Sequence, residues 1–201
     1  MPVVLIDRRH SHIEVDREVD SVQCDHYLGA RQAMEYLVSL GHRCIGLVIG
    51  PQRHPPVRDR LQACRDVLQA HGCELDPAYV YETHSYEYDE GYVGVRHLLG
   101  LPIRPTAIFA FNDTMAIGVM HGALEQGIAV PGELSIVGVD NIPLSRFVSP
   151  CLTTVAQPMT ELGRTSAEML LNRVRDSSAR PVQRLLPPEL IIRDSTGPAP
   201  G

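Results

Sequence analysis

Four acidic or amide side chains each follow an apolar run that has the composition of a buried strand. They are Asp7, Asn112, Asp113 and Asp140. Because the parallel strands of an open α/β sheet present their carboxyl ends to one crevice, these oxygens are candidates for accepting hydrogen bonds from a neutral polyol. Competing interpretations are a helix cap for Asn112 and Asp113 and a solvated strand end for Asp7.

Two arginines are candidate donors to the same ligand. Arg8 follows Asp7 directly, and Arg60 lies near the start of a predicted helix. A guanidinium offers five N–H donors in a fixed fork that suits neighbouring hydroxyls. Arg58 lies two residues before Arg60, and one of the two arginines could equally be a solvated surface residue.

His54 and Tyr86 complete the set of candidate site residues. Tyr86 could stack on the apolar face of a sugar ring or on a flat base, or it could be a loop tyrosine beside Tyr88. A histidine near strand-end acids could also serve as acid/base machinery, which leaves an α/β enzyme as a competing function. That alternative gains no support from motifs, since GxSxG, GxGxxG and HExxH are all absent.

The sequence predicts neither a metal nor a cofactor. His10 and His12 lie near Asp16, but no further ligand has suitable spacing for a metal site. All 18 basic residues in the Lys+Arg total are arginine, which excludes Walker A phosphate binding and Schiff-base catalysis. No catalytic residue is assigned.

The composition is that of a globular protein. The 201 residues are 44% hydrophobic and 21% charged, and no apolar run reaches the length of a membrane span. The formal net charge of −6 argues against direct contact with a nucleic-acid backbone. Five cysteines without a CxxC pair, together with the lack of a signal-peptide pattern, favour reduced thiols in the cytoplasm.

Helical periodicity alternates with short apolar runs, which is typical of βαβ units that form a parallel sheet. Strands are predicted at 3–7, 44–50, 79–81, 106–111 and 135–140. Helices are predicted between Asp25 and Gly41 and at 58–71, 89–99, 114–126 and 160–175. Residues 10–20 have neither period and are predicted to form a loop or an irregular crossover.

Eight motifs in order resemble the regulatory core of the lactose-repressor/galactose-repressor (LacI/GalR) family. They are PVVLIDR, SLGHRCIGLVIGP, EGYVGVRHLL, RPTAIFAFNDTMAIGV, VPGELSIVGVDN, SPCLTTVAQP, ELG and LPPELIIRDST. The resemblance covers nearly the whole chain. It implies a type I periplasmic-binding-protein-like α/β fold, with parallel sheets flanked by helices in three layers.

The resemblance also implies a division into subdomains. Residues 1–24 and 158–186 would form a partial N-terminal core subdomain, and 25–157 and 187–197 would form a complete C-terminal one. Residues 198–201 are expected to be disordered. The helix-turn-helix head of the family is expected to be missing, so any operator DNA would be bound through that domain.

Further implications of the resemblance concern ligand and partners. The effector would bind in the cleft between the subdomains, and it would be a sugar or polyol first and a purine second. Family members resembling this chain form homodimers. By the resemblance, Arg60 rather than Arg58 matches the arginine that binds the effector, and Tyr86 matches the aromatic residue that stacks on it. The expected contacts are Asp7, Arg8, His54, Arg60, Tyr86, Asn112, Asp113 and Asp140. The rival function within the same fold is the sugar-binding protein of a transporter.

Overall fold

The computed structural model describes residues 1–7 and 19–200 of the chain. Its elements in chain order are β1 (Val4–Ile6), β2 (Asp20–Cys24), α1 (His26–Ser39), β3 (Ile45–Ile49), α2 (Pro55–Ala70), β4 (Val80–Glu82), α3 (Tyr88–Leu99), β5 (Ala107–Ala110), α4 (Asp113–Glu125), β6 (Ser135–Val139), β7 (Thr153–Ala156), α5 (Met159–Arg175), β8 (Gln183–Leu186) and β9 (Glu189–Ile191). Arg8, His10, His12, Asp16 and most of the predicted loop lie outside the described residues. Within the described ranges, no helix is both long enough and apolar enough to cross a lipid bilayer.

The chain divides into two compact units. The small unit comprises Met1–Asp25 and Gln157–Pro188, and the large unit comprises His26–Ala156 and Glu189–Gly201. In the small unit, the strands lie in the order β1-β2-β8 and all pair in parallel. Helix α5 packs on β1 and β2, where Leu162 joins the buried side chains of Val22 and Cys24.

Strand β2 begins with a buried acid, Asp20, which is only 4% exposed. Its two carboxylate oxygens accept hydrogen bonds from Nε (2.8 Å) and Nη2 (2.9 Å) of Arg173, and the backbone N–H of Val182 donates to it at 2.7 Å. The hydrogen bond from Arg173 lowers the pKa of the Asp20 carboxyl. This pairing allows a charged residue in a buried strand.

The large unit contains a six-stranded sheet in the order β4-β3-β5-β6-β7-β9. All pairs are parallel except β7 with β9, which is antiparallel. Every residue of β3, β5 and β6 is buried, as expected for strands covered on both faces. Helix α1 packs on α2, and α3 packs on α4. The predicted fold of parallel sheets flanked by helices is therefore confirmed.

Helices α3 and α4 approach closely because glycines lie at their crossing. A Cβ atom on Gly91 would lie 2.0 Å from the carbonyl oxygen of Met115, and one on Gly118 would lie 2.0 Å from that of Tyr88. Backbone atoms cannot yield to such contacts as a flexible side chain can. The glycines thus fix the spacing of the two helices that border the carboxyl edge of β4 and β5.

The C-terminal segment is tied to the large unit through a buried histidine. Nδ1 of His42 lies 2.8 Å from Oγ1 of Thr106, and Nε2 lies 3.1 Å from the carbonyl oxygen of Gly197. Burial lowers the pKa of His42 and so favours the neutral ring. The backbone N–H of Ala199 donates to the carbonyl oxygen of Leu40. The structure thus packs Ala199 within a segment that the sequence predicted to be disordered.

Candidate functional site

Candidate side chains from four adjacent strands gather at the carboxyl edge of the large sheet. His54 follows β3, Tyr86 follows β4, Asn112 follows β5, and Asp140 follows β6. Because β4, β3, β5 and β6 are consecutive neighbours in the sheet, residues far apart in sequence lie along one edge. Arg60 reaches the same edge from α2.

Arg60 is buried, with 7% of its surface exposed. Its Nη1 donates to the carbonyl oxygen of Phe111 at 2.9 Å, directly after β5, and its Nη2 lies 3.1 Å from Nδ1 of His26. A guanidinium can only donate, so Nδ1 of His26 is the acceptor in this hydrogen bond. The two bonds hold the guanidinium at the end of β5.

Arg58 is placed quite differently. It is exposed, and its Nη1 donates to the backbone carbonyls of Gln52 and Arg53. Successive helical residues are rotated by about 100°, so residues two apart face nearly opposite directions. Of the two candidate arginines, Arg60 is therefore the one that lies at the sheet edge.

Tyr86 lies against the end of β3. A Cβ atom on Gly50 would fall 2.1 Å from Cε1 of the Tyr86 ring, so only glycine leaves room for it. The His54 ring is tilted against Tyr86, with centroids 6.1 Å apart. Burial raises the pKa of Tyr86, and the charges of Arg60 and Arg53 partly oppose this. The tyrosine is half-buried and contributes an aromatic surface at the edge.

Asn112 caps α4, as one of its predicted roles required. Its Oδ1 accepts from the backbone N–H of Met115 at 2.7 Å, and its Nδ2 donates to the carbonyl oxygen of Tyr86 at 3.1 Å. The second bond links the ends of β4 and β5. Asn112 thus fixes the backbone that carries Tyr86 and remains half-buried at the edge.

Asp113 is completely buried, and both of its carboxylate oxygens are bonded within the protein. One accepts from the hydroxyl of Thr154, and the other accepts from the backbone N–H of Ile142 at 2.9 Å. Burial raises its pKa to about 7, against the hydrogen bonds from Thr154 and Ile142. This environment gives Asp113 a structural role beneath the edge that the strand-end pattern did not predict.

Asp140 ends β6 in an uncommon backbone conformation. Its φ is 110°, and that of Asn141 is 53°, a region that residues with a Cβ atom seldom adopt. The backbone N–H of Asp140 donates to the carbonyl oxygen of Val155 at 2.9 Å. Uncommon backbone conformations in non-glycine residues concentrate at functional sites, where surrounding contacts hold them.

Asp7 lies in the small unit at the end of β1. Its φ is 51°, and its Oδ1 accepts from the backbone N–H of Cys24 at 3.2 Å. Arg8 lies outside the described residues. The structure therefore gathers five of the candidates at one edge of the large unit and places Asp7 in the other unit.

Sequence reasoning missed the partners that hold this edge. They are His26, Gly50, Thr154 and Arg193. His26 could have been found, because it continues the buried face of α1 at a helical spacing from Ala30 and Ala33. Arg193 lies within the family motif LPPELIIRDST, but no signal in the sequence pairs it with this edge. Among the described residues, no three His, Cys, Asp or Glu side chains are placed to hold a metal ion.

Comparison with known proteins identifies the family. Residues 34–196 match the model of the periplasmic binding protein-like domain. The HTH-type transcriptional repressor CytR of Escherichia coli is 39% identical over 183 residues, and the ribose operon repressor of Haemophilus influenzae is 32% identical over 195. These alignments cover 91% and 97% of this chain but 53% and 57% of the relatives. The chain thus spans about half the length of both repressors.

Comparison with a solved structure supports the same family. A LacI family transcriptional regulator from Enterococcus faecium with bound ribose superimposes with a TM-score of 0.86 at 31% sequence identity. The match covers 99% of this chain and 72% of that one. The sequence motifs, the parallel sheets and these relatives agree, and the chain belongs to the periplasmic binding protein-like domain family, among the LacI/GalR regulators.

Proposed function

We propose that the carboxyl edge of the large sheet binds the small-molecule effector of a transcription regulator, and that this effector is a sugar. The observation that carries the proposal is the convergence of the Arg60 guanidinium, the Tyr86 ring and Asp140 on neighbouring strand ends. These groups supply donors, an apolar face and an acceptor. A sugar ring, with hydroxyls at its rim and C–H bonds on its faces, requires all three.

Relatives support a pentose as the first ligand to test. One is named a ribose operon repressor, and two solved LacI family regulators carry bound ribose. His54 adjoins Tyr86 and is a further candidate contact, as is Asn112. Asp7 and Arg8 stay candidates through the family resemblance alone. We assign Asp113 to holding the edge rather than to the effector.

The regulator would act through binding and not through catalysis. We infer that effector binding changes the affinity of the whole regulator for its operator, with the DNA contacts made by a separate DNA-binding domain. The net charge of −6 supports DNA contacts through a separate domain. The relatives are transcriptional repressors, in agreement with it.

Calorimetric titration with D-ribose tests the sugar proposal. We expect saturable binding and a rise in melting temperature, because a ligand at 100 times its Kd stabilises the native state by about 2.7 kcal/mol. L-Ribose, its mirror image, is the matched control and should leave both measurements unchanged. Failure of every pentose, hexose and nucleoside in a panel to bind, or turnover of any of them, would contradict the proposal.

We further propose that the regulator is a homodimer that pairs through α3 and α4. Most apolar residues of α4 lie in the core, but Ile117 is only half-buried and Leu124 is 44% exposed. A groove of about 510 Å³ runs between the two helices. It is lined by Tyr88, Asp89, Tyr92, Ile117, Gly118, His121 and Glu125. A two-fold pairing would suit an operator with two half-sites.

Introducing a charge into this groove should separate the protomers. We expect light scattering to give the dimer mass for the parent protein and the monomer mass for Ile117→Glu at micromolar concentration, because the pairing would bury two added carboxylates. Ile103→Glu places the same charge on an exposed loop residue and should stay dimeric. A monomeric parent, or a dimeric Ile117→Glu variant, would rule out this interface.

A further inference from the structure

Two consecutive non-glycine residues adopt positive φ at the end of β6. Asp140 has a φ of 110° and Asn141 a φ of 53°. Asparagine tolerates the left-handed region, but an aspartate at 110° lies outside its small favoured well. Such a turn persists only where neighbouring groups hold it. The neighbouring groups that hold this turn therefore determine the position of Asp140, the proposed ligand contact.

The three backbone N–H groups of this turn are all bound from outside it. That of Asp140 donates to the carbonyl oxygen of Val155 at 2.9 Å, and that of Asn141 lies 3.3 Å from the Thr154 hydroxyl oxygen. That of Ile142 donates to the Asp113 carboxylate. The turn is thus fastened to β7 and to the first turn of α4.

Asp113 can reach the turn because Gly138 of β6 has no side chain in the way. A Cβ atom on Gly138 would lie 2.3 Å from Oδ1 of Asp113. That same oxygen accepts the hydroxyl of Thr154. The carboxyl therefore bridges β7 and the residue that follows Asn141.

Arg193 fastens the other side of the turn. Its Nη2 donates to the side-chain oxygen of Asn141, and its Nη1 donates to Oγ of Ser145 at 2.8 Å and to the carbonyl oxygen of Leu152 at 2.6 Å. The guanidinium joins the turn, the loop behind it and the segment leading into β7. The two terminal nitrogens thus bind acceptors in three separate segments, an arrangement that suits the fork of a guanidinium.

We propose that Arg193 is a positioning residue that clamps the Asp140–Asn141 turn from behind, with Asp113 as the second point of attachment. Its effect on affinity rests on the proposed function, since it assumes that Asp140 contacts the effector. A lysine at this position keeps the positive charge but has one nitrogen in place of the two that bind these acceptors. Charge alone therefore does not replace the arginine.

Amide hydrogen exchange on the full, ligand-free chain tests the clamp. In Arg193→Gln and Arg193→Lys, we expect the amides of Asn141 and Ile142 to exchange at least tenfold faster, while that of Ile136 within β6 is unchanged. Arg146→Gln removes the same charge from an exposed position in the same loop and should leave all three rates as they are. Unchanged exchange at Asn141 and Ile142 would overturn the proposal.

Asn141→Ala provides a second route that keeps Arg193 and its bonds to Ser145 and Leu152. It should give the same faster exchange at Ile142. D-Ribose titrations then measure the consequence, with an expected tenfold or greater rise in Kd for Arg193→Gln. Faster exchange with an unchanged Kd would reject the positioning role. If the parent binds no sugar, the proposed function fails, whereas the exchange rates still decide whether Arg193 clamps the turn.

Discussion

Arg60→Ala is expected to weaken D-ribose binding by at least tenfold, whereas Arg58→Ala should stay within twofold of the parent. Loss of a charge-assisted hydrogen bond costs about 1.5–3 kcal/mol, and each 1.4 kcal/mol is a factor of ten in Kd. Arg60 lies at the end of β5, while Arg58 is exposed and bonded to loop carbonyls. The two variants remove the same type of side chain from opposite faces of one helix.

The same substitution should also lower stability, because Arg60 is a buried donor. Without it, the carbonyl oxygen of Phe111 and Nδ1 of His26 both lose a partner, and a buried unsatisfied group costs about 1–3 kcal/mol. Urea unfolding should show this loss for Arg60→Ala and a change within about 0.5 kcal/mol for Arg58→Ala.

Arg60→Lys separates the two effects of Arg60, since an ammonium keeps the charge but not the fork. It should remain folded and still bind D-ribose more weakly than the parent. Equal affinity for the parent, Arg60→Ala and Arg60→Lys would remove Arg60 from the site, whatever happens to stability.

Much of the large unit could be predicted because its strands are uninterrupted apolar runs. The runs at 44–50, 106–111 and 135–140 contain β3, β5 and β6, and hydrophobicity alone determines that they are buried. The strand-end position of Asp140 then follows from parallel topology, whereas Tyr86 was predicted through the family resemblance. The sequence can predict a strand-end residue because the hydrophobic pattern indicates where each strand ends.

The missed parts depend on partners distant in sequence. Strand β2 carries Asp20, which is buried only because Arg173 pairs with it across 153 residues of chain. Strand β8 is mostly exposed and has no apolar period. Likewise, the clamp at Asn141 comes from Arg193, 52 residues away. A polar residue satisfied by such a partner looks like a loop or surface residue until the fold is known.

Asp113 also has partners that the sequence did not predict, although the end of the strand before it was predicted correctly. The strand-end pattern predicted a ligand contact, and the fold instead directs both carboxylate oxygens to Ile142 and Thr154.

The buried Asp113 carboxyl also makes folding stability depend on pH. Its pKa is raised to about 7, so the folded state binds a proton more tightly than the unfolded chain, in which the aspartate pKa is 3.8. Between pH 4 and pH 7 the unfolded state ionises first. Folding stability from this group is therefore present at low pH and is lost as pH rises through that window.

Asp113→Asn should remove this pH dependence. As pH rises from 4 to 8, the parent is expected to lose stability relative to Asp113→Asn. The difference between their free energies of unfolding should change by about 4 kcal/mol at most over this range. His42 acts with the opposite sign, because its lowered pKa makes the folded state bind protons less readily than the unfolded chain. That contribution is common to both proteins and cancels in the difference.

Urea unfolding of both proteins at half-unit pH steps measures the effect, with Asp194→Asn as the exposed carboxylate control. The amide can accept from Ile142 with its oxygen and donate to the Thr154 hydroxyl with its nitrogen, so the buried contacts are kept without a charge. A difference curve that is flat from pH 4 to pH 8 would mean that Asp113 ionises in the fold as readily as in the unfolded chain. The carboxylate beneath the Asp140 turn would then be charged at neutral pH, and Arg193, whose charge faces it, would have to compensate for its burial.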